Sequence, residues 1–449
     1  MITLTKGNAA AERFLKDQKL SQGARYRWLA FVYPYQDGER RLVYNLLTNR
    51  LCRMENGDVP FGKDVRFSAG EVRQSPELSM LMRDYYLVRE DEDDSRLYEN
   101  LVRLARAVQP KQPKGLSVYT ILPTMACNAR CFYCFEQGYP VVTMSPETAE
   151  ATADFILRTK RDGKLTLNWF GGEPLLRPDI IDGICQRLRA DGAEFESMVT
   201  TNGSLIDEAL IARMKDNWNL VKAQVSLDGE ENEYVRRKAY INLPQPYPLV
   251  MRNIGLLLNA GVRVNLRCNI DRDNLPTVPL FLCDIDRRFP DKSALSLEFV
   301  SLYGNNGTDD ELTLYKACDE LRLEAEKLQL YARKRFSERS LRLHYCIAQE
   351  PNRHTVISPE GKLYCCEHCT AGTETGNVRD GFTNQKLLKL YASQGTPPEK
   401  CRGCVFLPAC TAFTLCDIKN TSLRCREIQE NSLLIALRRT AEGLDKEVL

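Results

Sequence analysis

Three cysteines in one short run, Cys127, Cys131 and Cys134, have the residue type and the spacing to do chemistry. Arranged C-x-x-x-C-x-x-C, their thiolates can ligate three irons of a four-iron cluster and leave the fourth iron open to a small chelating molecule. A cluster closed by four cysteines mostly carries electrons or staples a fold, so an open iron points to catalysis. The spacing alone also fits a zinc site with a remote fourth ligand, or thiols buried as apolar filler.

A second set of nine thiols follows: Cys346, Cys365, Cys366, Cys369, Cys401, Cys404, Cys410, Cys416 and Cys425. Cys401-x-x-Cys404 would serve zinc well, but nine thiols with no regular two-plus-two spacing fit two iron–sulfur clusters better. The chain has 17 cysteines and three histidines, His344, His354 and His368, which disfavours a histidine-rich zinc hydrolase. No export signal precedes the cysteines, so they read as metal ligands in a reducing cytoplasm rather than as a disulfide framework. Cys52, Cys185, Cys268, Cys283 and Cys318 are left over and read as buried apolar filler.

The elements that must position the first three cysteines alternate in type. Strand patterns at 116–122, 165–170, 195–200, 221–227, 262–270 and 295–300 are separated by helical patterns at 146–160, 178–190, 207–215, 248–259 and 276–289. Six β/α units imply a parallel sheet, whose ligands bind at the carboxyl ends of the strands. Turn motifs fall at those ends: Gly171-Gly172-Glu173-Pro174 after the second strand, Thr201-Asn202-Gly203-Ser204 after the third, and Ser226-Leu227-Asp228-Gly229 after the fourth. Singly, each is an ordinary strand-to-helix turn. Turn chemistry does not explain all three lined up behind a three-cysteine loop.

The cysteine loop, with Tyr133 before its third cysteine and a strand before the loop, resembles that of radical S-adenosylmethionine (radical SAM) enzymes. The resemblance implies an α/β fold with a partial (β/α)6 barrel over 116–310. It implies that the Gly171, Gly172, Glu173, Pro174 turn holds the amino group of SAM, with backbone carbonyls and the Glu173 carboxylate as acceptors. Tyr133 is implied as a further SAM contact, and Asn202 and Ser226 stand where ribose and carboxylate contacts are expected. Arg237 is the candidate for a salt bridge to the SAM carboxylate, with Arg236 competing, and either could be a surface arginine. Arg267 and Asn269, on the fifth strand, are read as pointing alternately, so that at most one face of that strand lines the cavity.

The region 341–449 resembles the SPASM extension of radical SAM maturases, which holds two auxiliary 4Fe–4S clusters. Cys346, Gly361 and Cys366 match one part of its pattern, and Cys401, Cys404 and Cys410 another. The next cysteine departs from the pattern: position 414 is Thr, and Cys416 follows two residues later. The resemblance implies a distal cluster on Cys401, Cys404, Cys410 and Cys425. It implies a proximal one on Cys346, Cys366 and Cys416, with Cys365 or Cys369 as a possible fourth ligand. A helix over 311–340 reads as a connector.

Residues 1–108 read as an α+β module, with strand-like runs at 26–33, 41–47 and 50–54, a turn at 34–39, and helices at 68–82 and 95–108. They resemble the winged-helix peptide-recognition element of enzymes that modify ribosomally made peptides, which binds a leader peptide by strand addition. A stabilising extension is the plainer reading. The proline-bearing stretch 109–115 is a linker. The acidic run 90–94 is a solvated turn or a patch for a basic peptide. A net charge of +2 favours neither nucleic acid nor a membrane surface as a partner, and no apolar run is long enough to span a bilayer. A cytoplasmic enzyme follows.

The combined resemblance implies a peptide maturase with SAM and three 4Fe–4S clusters. It would make a 5′-deoxyadenosyl radical, take hydrogen from a precursor peptide and form a thioether from cysteine sulfur to carbon, with a flavodoxin or ferredoxin as electron donor. A carbon–carbon crosslink and formylglycine formation in a sulfatase are alternatives within the fold. A zinc-stapled module or an electron-carrying iron–sulfur protein is the alternative outside catalysis.

Overall fold

The computed structural model describes residues 2–5, 7–38, 40–54, 59–108, 115–302, 311–330, 341, 346–392, 399–410 and 425–446. The chain falls into two compact units. One comprises Met1–Lys111, Lys334–Tyr345 and Gln394–Leu449, the other Gln112–Arg333 and Cys346–Ser393. The cysteine-rich region, expected as one domain over 341–449, is therefore divided between them.

The larger unit is built on the expected β/α alternation. Six parallel strands, Val118–Thr124, Leu165–Gly171, Phe195–Thr201, Leu220–Ser226, Arg263–Ile270 and Leu295–Ser301, lie side by side in chain order. Helices Pro146–Thr159, Pro178–Ala190, Glu208–Asp216, Pro246–Asn259 and Val278–Arg288 fall between successive strands in the sequence. Period-two patterning decides the faces. One face carries Leu167, Trp169, Val199, Val225, Leu266 and Phe299 into the core beneath the helices. The other is polar at alternate positions, with Thr120 beside Asn168, and Thr200, Gln224, Asn265 and Ser296 in adjoining register.

The sheet does not stop at the first strand. His354–Ile357 pairs parallel with Val118–Thr124, and Lys362–Tyr364, Gly376–Asn377 and Phe382 with Gly381 continue as an antiparallel meander, giving ten strands. This pairing is why the first half of the cysteine-rich region belongs to the barrel unit. The connector helix is shorter than its charge pattern suggests, spanning Glu311–Lys327. Gln329 turns left-handed (φ 60°), Leu330 N–H donates to the Ala325 carbonyl at 2.8 Å, and the Leu330 carbonyl accepts Leu297 N–H at 2.7 Å. Residues 331–340 lie outside the described ones.

The smaller unit holds two sheets. Ile2–Thr3, Arg50–Met54, Arg40–Asn45 and Val32–Asp37 form one, in that order, and Phe67–Ser68, Arg25–Trp28 and Leu87–Arg89 form the other. The run read as one strand at 26–33 bends at Leu29–Phe31 and feeds both sheets. All its residues suit a strand, so propensity does not mark the bend. Residues 34–37, read as a turn, are strand, because Val32–Asp37 lies at the end of its sheet, where proline leaves no ladder bond unmade. The helix expected at 68–82 breaks at Ser75, which Pro76 forces into extended backbone and which then caps Pro76–Arg83. Asp93, in the acidic run, caps Asp94–Ala107 by accepting Arg96 N–H at 3.0 Å. Among the described residues, no helix is long and apolar enough to cross a membrane.

Candidate functional site

The three cysteines lie on the loop after the first strand, at the carboxyl end of the parallel sheet. An antiparallel bridge between Thr124 and Thr143 closes this loop, with Met125 N–H donating to the Val142 carbonyl at 2.8 Å. Inside it, Ala129 N–H points at Cys127 Sγ from 3.4 Å, as a donor to a thiolate would. Burial pushes the Cys127 thiol up to about 11, and burial raises Cys134 as well. A bound metal would displace such a proton. Among the described residues, no three His, Cys, Asp or Glu side chains converge on a point where one ion could sit.

The turn after the second strand closes against that loop. Gly171 has φ +109°, and a Cβ there would stand 2.5 Å from the Thr124 carbonyl oxygen. A Cβ on Gly172 would stand 2.3 Å from the Ala126 carbonyl oxygen and 2.5 Å from that of Met125. Gly172 and Glu173 N–H donate to Thr124 and Ala126 carbonyls at 3.1 and 2.8 Å. The glycines thus bring the turn onto the backbone of the cysteine loop itself. Pro174 is buried at the start of the 3-10 turn Pro174–Leu176.

Glu173 is fully buried and largely occupied by protein. Its carboxylate accepts Thr201 Oγ1 at 2.7 Å, Asn202 N–H at 2.7 Å and Leu175 N–H at 3.1 Å. About one of its four acceptor positions remains for a ligand. Burial pushes this carboxyl up to about 7 against the pull of those donors. Asn202 is likewise engaged: Nδ2 donates to Asn128 Oδ1 at 2.8 Å, and Oδ1 accepts Ser204 N–H at 2.9 Å and Ser204 Oγ at 2.6 Å. Asn128 Nδ2 donates to Ser204 Oγ at 2.9 Å, so the third strand end holds the cysteine loop from a second side. Asn202 does not present its side chain as a ribose contact.

Arg237 departs furthest from expectation. It is 0% exposed, pairs with Asp271 at 2.8 Å and reaches the Asn269 carbonyl at 3.3 Å. Its guanidinium lies against the rings of Phe132 and Tyr133, 5.1 and 5.4 Å from their centroids. Its charge is thus committed to Asp271 and to the rings of the loop, and it is corrected from a SAM carboxylate ligand to a support of that loop. Arg236 is half exposed and pairs with Glu233 and Asp273. Arg267 Nε lies 3.2 Å from Asn269 Oδ1, while Arg237 Nε is buried with no hydrogen-bond partner among the described residues. Arg267 and Asn269 share a face, as residues two apart on a strand must, which corrects the alternation expected of them. Ser226, the other expected contact, is half-buried and is the register neighbour of Arg267.

Several residues that hold the site have no role in the sequence reading. Asp228 is fully buried and accepts Asn269 N–H and Nδ2 at 2.9 and 2.8 Å, the Tyr133 hydroxyl, and Lys238 Nζ at 3.2 Å. Its place in the Ser226-Leu227-Asp228-Gly229 turn is a usable signal. Lys238 and Asn128 give none, because their partners are distant in sequence.

The auxiliary cysteines separate by unit. Cys366 and Cys369 form a C-x-x-C turn, with Cys369 N–H on the Cys366 carbonyl at 3.2 Å, whereas Cys365 is buried. His368 of this turn packs on Phe135 of the cysteine loop, ring centroids 4.5 Å apart, and Phe135 stacks on Phe170. Cys346 belongs to the same unit; Cys401, Cys404, Cys410 and Cys425 belong to the other. Cys416 lies outside the described residues. Of the five cysteines read as buried filler, Cys283 is exposed.

Residues 121–274 match the model of the radical SAM superfamily. Fe-coproporphyrin III synthase of Methanosarcina barkeri (strain Fusaro / DSM 804) is 25% identical over 194 residues, 43% of this chain and 45% of that protein. The chain thus spans less than half the length of this curated relative. Native anSMEcpe with bound AdoMet and Kp18Cys peptide aligns with a TM-score of 0.55 and 18% identity, covering 74% of this chain and 99% of that one. Streptococcus suis SuiB bound to precursor peptide SuiA aligns with a TM-score of 0.51 and 11% identity, covering 87% and 95%. At such identities the likeness is one of fold.

Proposed function

We propose, from the match of residues 121–274 to the radical SAM superfamily model, that the chain is a radical SAM peptide maturase that closes a cysteine-to-carbon thioether in a ribosomally made precursor. Bound at this site, SAM and a 4Fe–4S cluster supply one-electron cleavage of a sulfonium and hence a 5′-deoxyadenosyl radical. The observation that carries the reading is the glycine cradle. Gly171 and Gly172 press the second strand end onto the carbonyls of Thr124, Met125 and Ala126, so the start of the cysteine loop, next to Cys127, rests on a built platform.

Each residue then has a part. Cys127, Cys131 and Cys134 hold the cluster, and Gly171, Gly172 and Glu173 shape the place for the SAM amino group. Arg267 and Ser226, neighbours across the fourth and fifth strands, take the carboxylate in place of Arg237. The polar inner face orients the substrate and determines which hydrogen faces the radical. Peptide as the substrate class is supported by peptides in both aligned structures. The small N-terminal sheets support a leader-binding role for residues 1–108, through strand addition.

Auxiliary clusters on Cys346, Cys366 and Cys369 and on Cys401, Cys404, Cys410 and Cys425 belong to the same proposal, with a flavodoxin or ferredoxin as the external donor. The contact of His368 with Phe135 favours an iron near the radical site, where a substrate thiolate could be held.

Anaerobic purification tests the reading. Three four-iron clusters give about twelve irons per chain, with SAM cleavage on reduction. The triple replacement of Cys127, Cys131 and Cys134 by Ala should abolish cleavage and keep the remaining iron. Co-expression with a cysteine-containing precursor should yield a peptide lighter by two hydrogen atoms whose cysteine resists alkylation. Retained cleavage in the triple variant, or zinc in place of iron, refutes the proposal.

A further inference from the structure

Behind the cysteine loop stand four buried charges in two ion pairs. Lys238 Nζ lies 3.2 Å from Asp228 Oδ2, and Arg237 Nη1 lies 2.8 Å from Asp271 Oδ2. All four side chains are at most 3% exposed. The sum is zero, so no lone charge is buried, but the signs are ordered. Both cations face the loop. Lys238 Nζ donates to the Tyr133 hydroxyl at 2.9 Å, and Arg237 underlies the rings of Phe132 and Tyr133. The Lys238 carbonyl accepts Arg130 N–H at 2.9 Å and lies 4.0 Å from Cys131 Sγ, while Ile241 N–H donates to the Asn128 carbonyl at 2.9 Å. The carboxylates are anchored by the fifth strand and the loop that follows it, although Asp228 also accepts the Tyr133 hydroxyl. Asp228 accepts two donors from Asn269 on the fifth strand, and Asp271 accepts Asp273 and Asn274 N–H at 3.0 and 3.1 Å.

Fold stability alone does not call for this arrangement, because apolar residues of similar volume stabilise a core as well as a buried ion pair does. What ordered charges add is a field. In a poorly polarisable interior, a fixed cation beside a cluster favours the state with one more electron. Lys238 ends the helix Glu231–Lys238, where Ala239 turns left-handed (φ 44°) to bring the chain back onto the loop. Its place against the cysteines is therefore set by backbone as well as by charge.

We propose that the Lys238 ammonium, oriented by Asp228 and Tyr133, raises the reduction potential of the cluster held by Cys127, Cys131 and Cys134. The inference rests on the reading of those thiols as cluster ligands. The step it affects is the entry of one electron from an external one-electron donor. The cluster gains one negative charge, and no bond or proton in the ion pairs changes.

The test is a potentiometric titration of the reconstituted full-length enzyme, followed by electron paramagnetic resonance of the signal that changes when SAM is added. Lys238→Met should disfavour the one-electron reduction about tenfold, a fall of about 59 mV. Lys238→Arg, which keeps the charge, should retain the wild-type midpoint. The double variant Lys238→Met/Asp228→Asn buries no lone charge, and it should still lower the midpoint, though by less. A wild-type midpoint in both Met-containing variants, with SAM cleavage intact, overturns this inference and leaves the proposed function standing. A wild-type enzyme with no SAM-responsive cluster overturns both.

Discussion

Replacing Gly172 with alanine tests the cradle directly. The added Cβ would meet the Ala126 carbonyl oxygen at 2.3 Å, its carbon at 2.7 Å and the Met125 carbonyl oxygen at 2.5 Å. All three are backbone atoms, so no side chain can rotate aside. A relaxed carbon-to-oxygen contact needs about 3.3 Å, so the turn and the loop must part by about 1 Å. Overpacking of this kind costs about 1–3 kcal/mol. The hydrogen bond from Glu173 N–H to the Ala126 carbonyl, 2.8 Å long, would weaken as well, for about 1 kcal/mol more. The segment displaced carries Cys127, and a shift of about 1 Å at a reacting centre costs about a hundredfold in rate.

The assay is 5′-deoxyadenosine formation under dithionite in the anaerobically reconstituted protein, with iron content and urea midpoint measured alongside. Gly172→Ala should fold with a lowered midpoint and cleave SAM about a hundredfold more slowly. Gly183, inside the helix Pro178–Ala190 with nothing within 4 Å of its would-be Cβ, is the control. Gly183→Ala should gain up to about 1 kcal/mol and cleave at the wild-type rate. Wild-type stability and wild-type cleavage in Gly172→Ala would refute the cradle.

Arg237→Gln, which strands Asp271 in the interior, should cost about 3–5 kcal/mol in urea unfolding, whereas Arg267→Gln should keep the wild-type midpoint and weaken SAM binding measured by equilibrium dialysis. The opposite pattern would return the carboxylate to Arg237. Burial, helped by Arg353, pulls His354 from its ordinary 6.5 down to about 4 while its Nε2 meets Thr120 Oγ1 at 3.0 Å. Because the folded value is the lower one, folding holds His354 neutral. Its contribution is complete above pH 6.5 and is lost as the pH falls from 6.5 towards 4. Urea midpoints measured between pH 7 and 5 should therefore drop more steeply for the wild type than for His354→Gln. Parallel slopes would contradict the burial argument.

The parts of this protein that depend on neighbours in sequence are legible from the order of residues alone. Cysteine spacing marks the loop, and period-two and period-3.6 patterning places the six parallel strands within about two residues at each end. The strand-end turns announce themselves by glycine. Tertiary structure decides what each polar side chain does once it arrives. Arg237 and Asn202 are ligand contacts in the sequence reading because the resemblance to radical SAM enzymes implies them. Folding spends them instead on Asp271 and on Asn128, the first 34 residues away in sequence and the second 74. Buried charges and amides must be satisfied by whatever the fold brings beside them, and a sequence does not say which residues those are. For the same reason Lys238 is silent in the sequence. Its ammonium meets Tyr133 from 105 residues away, and only the packed loop gives that meeting a consequence.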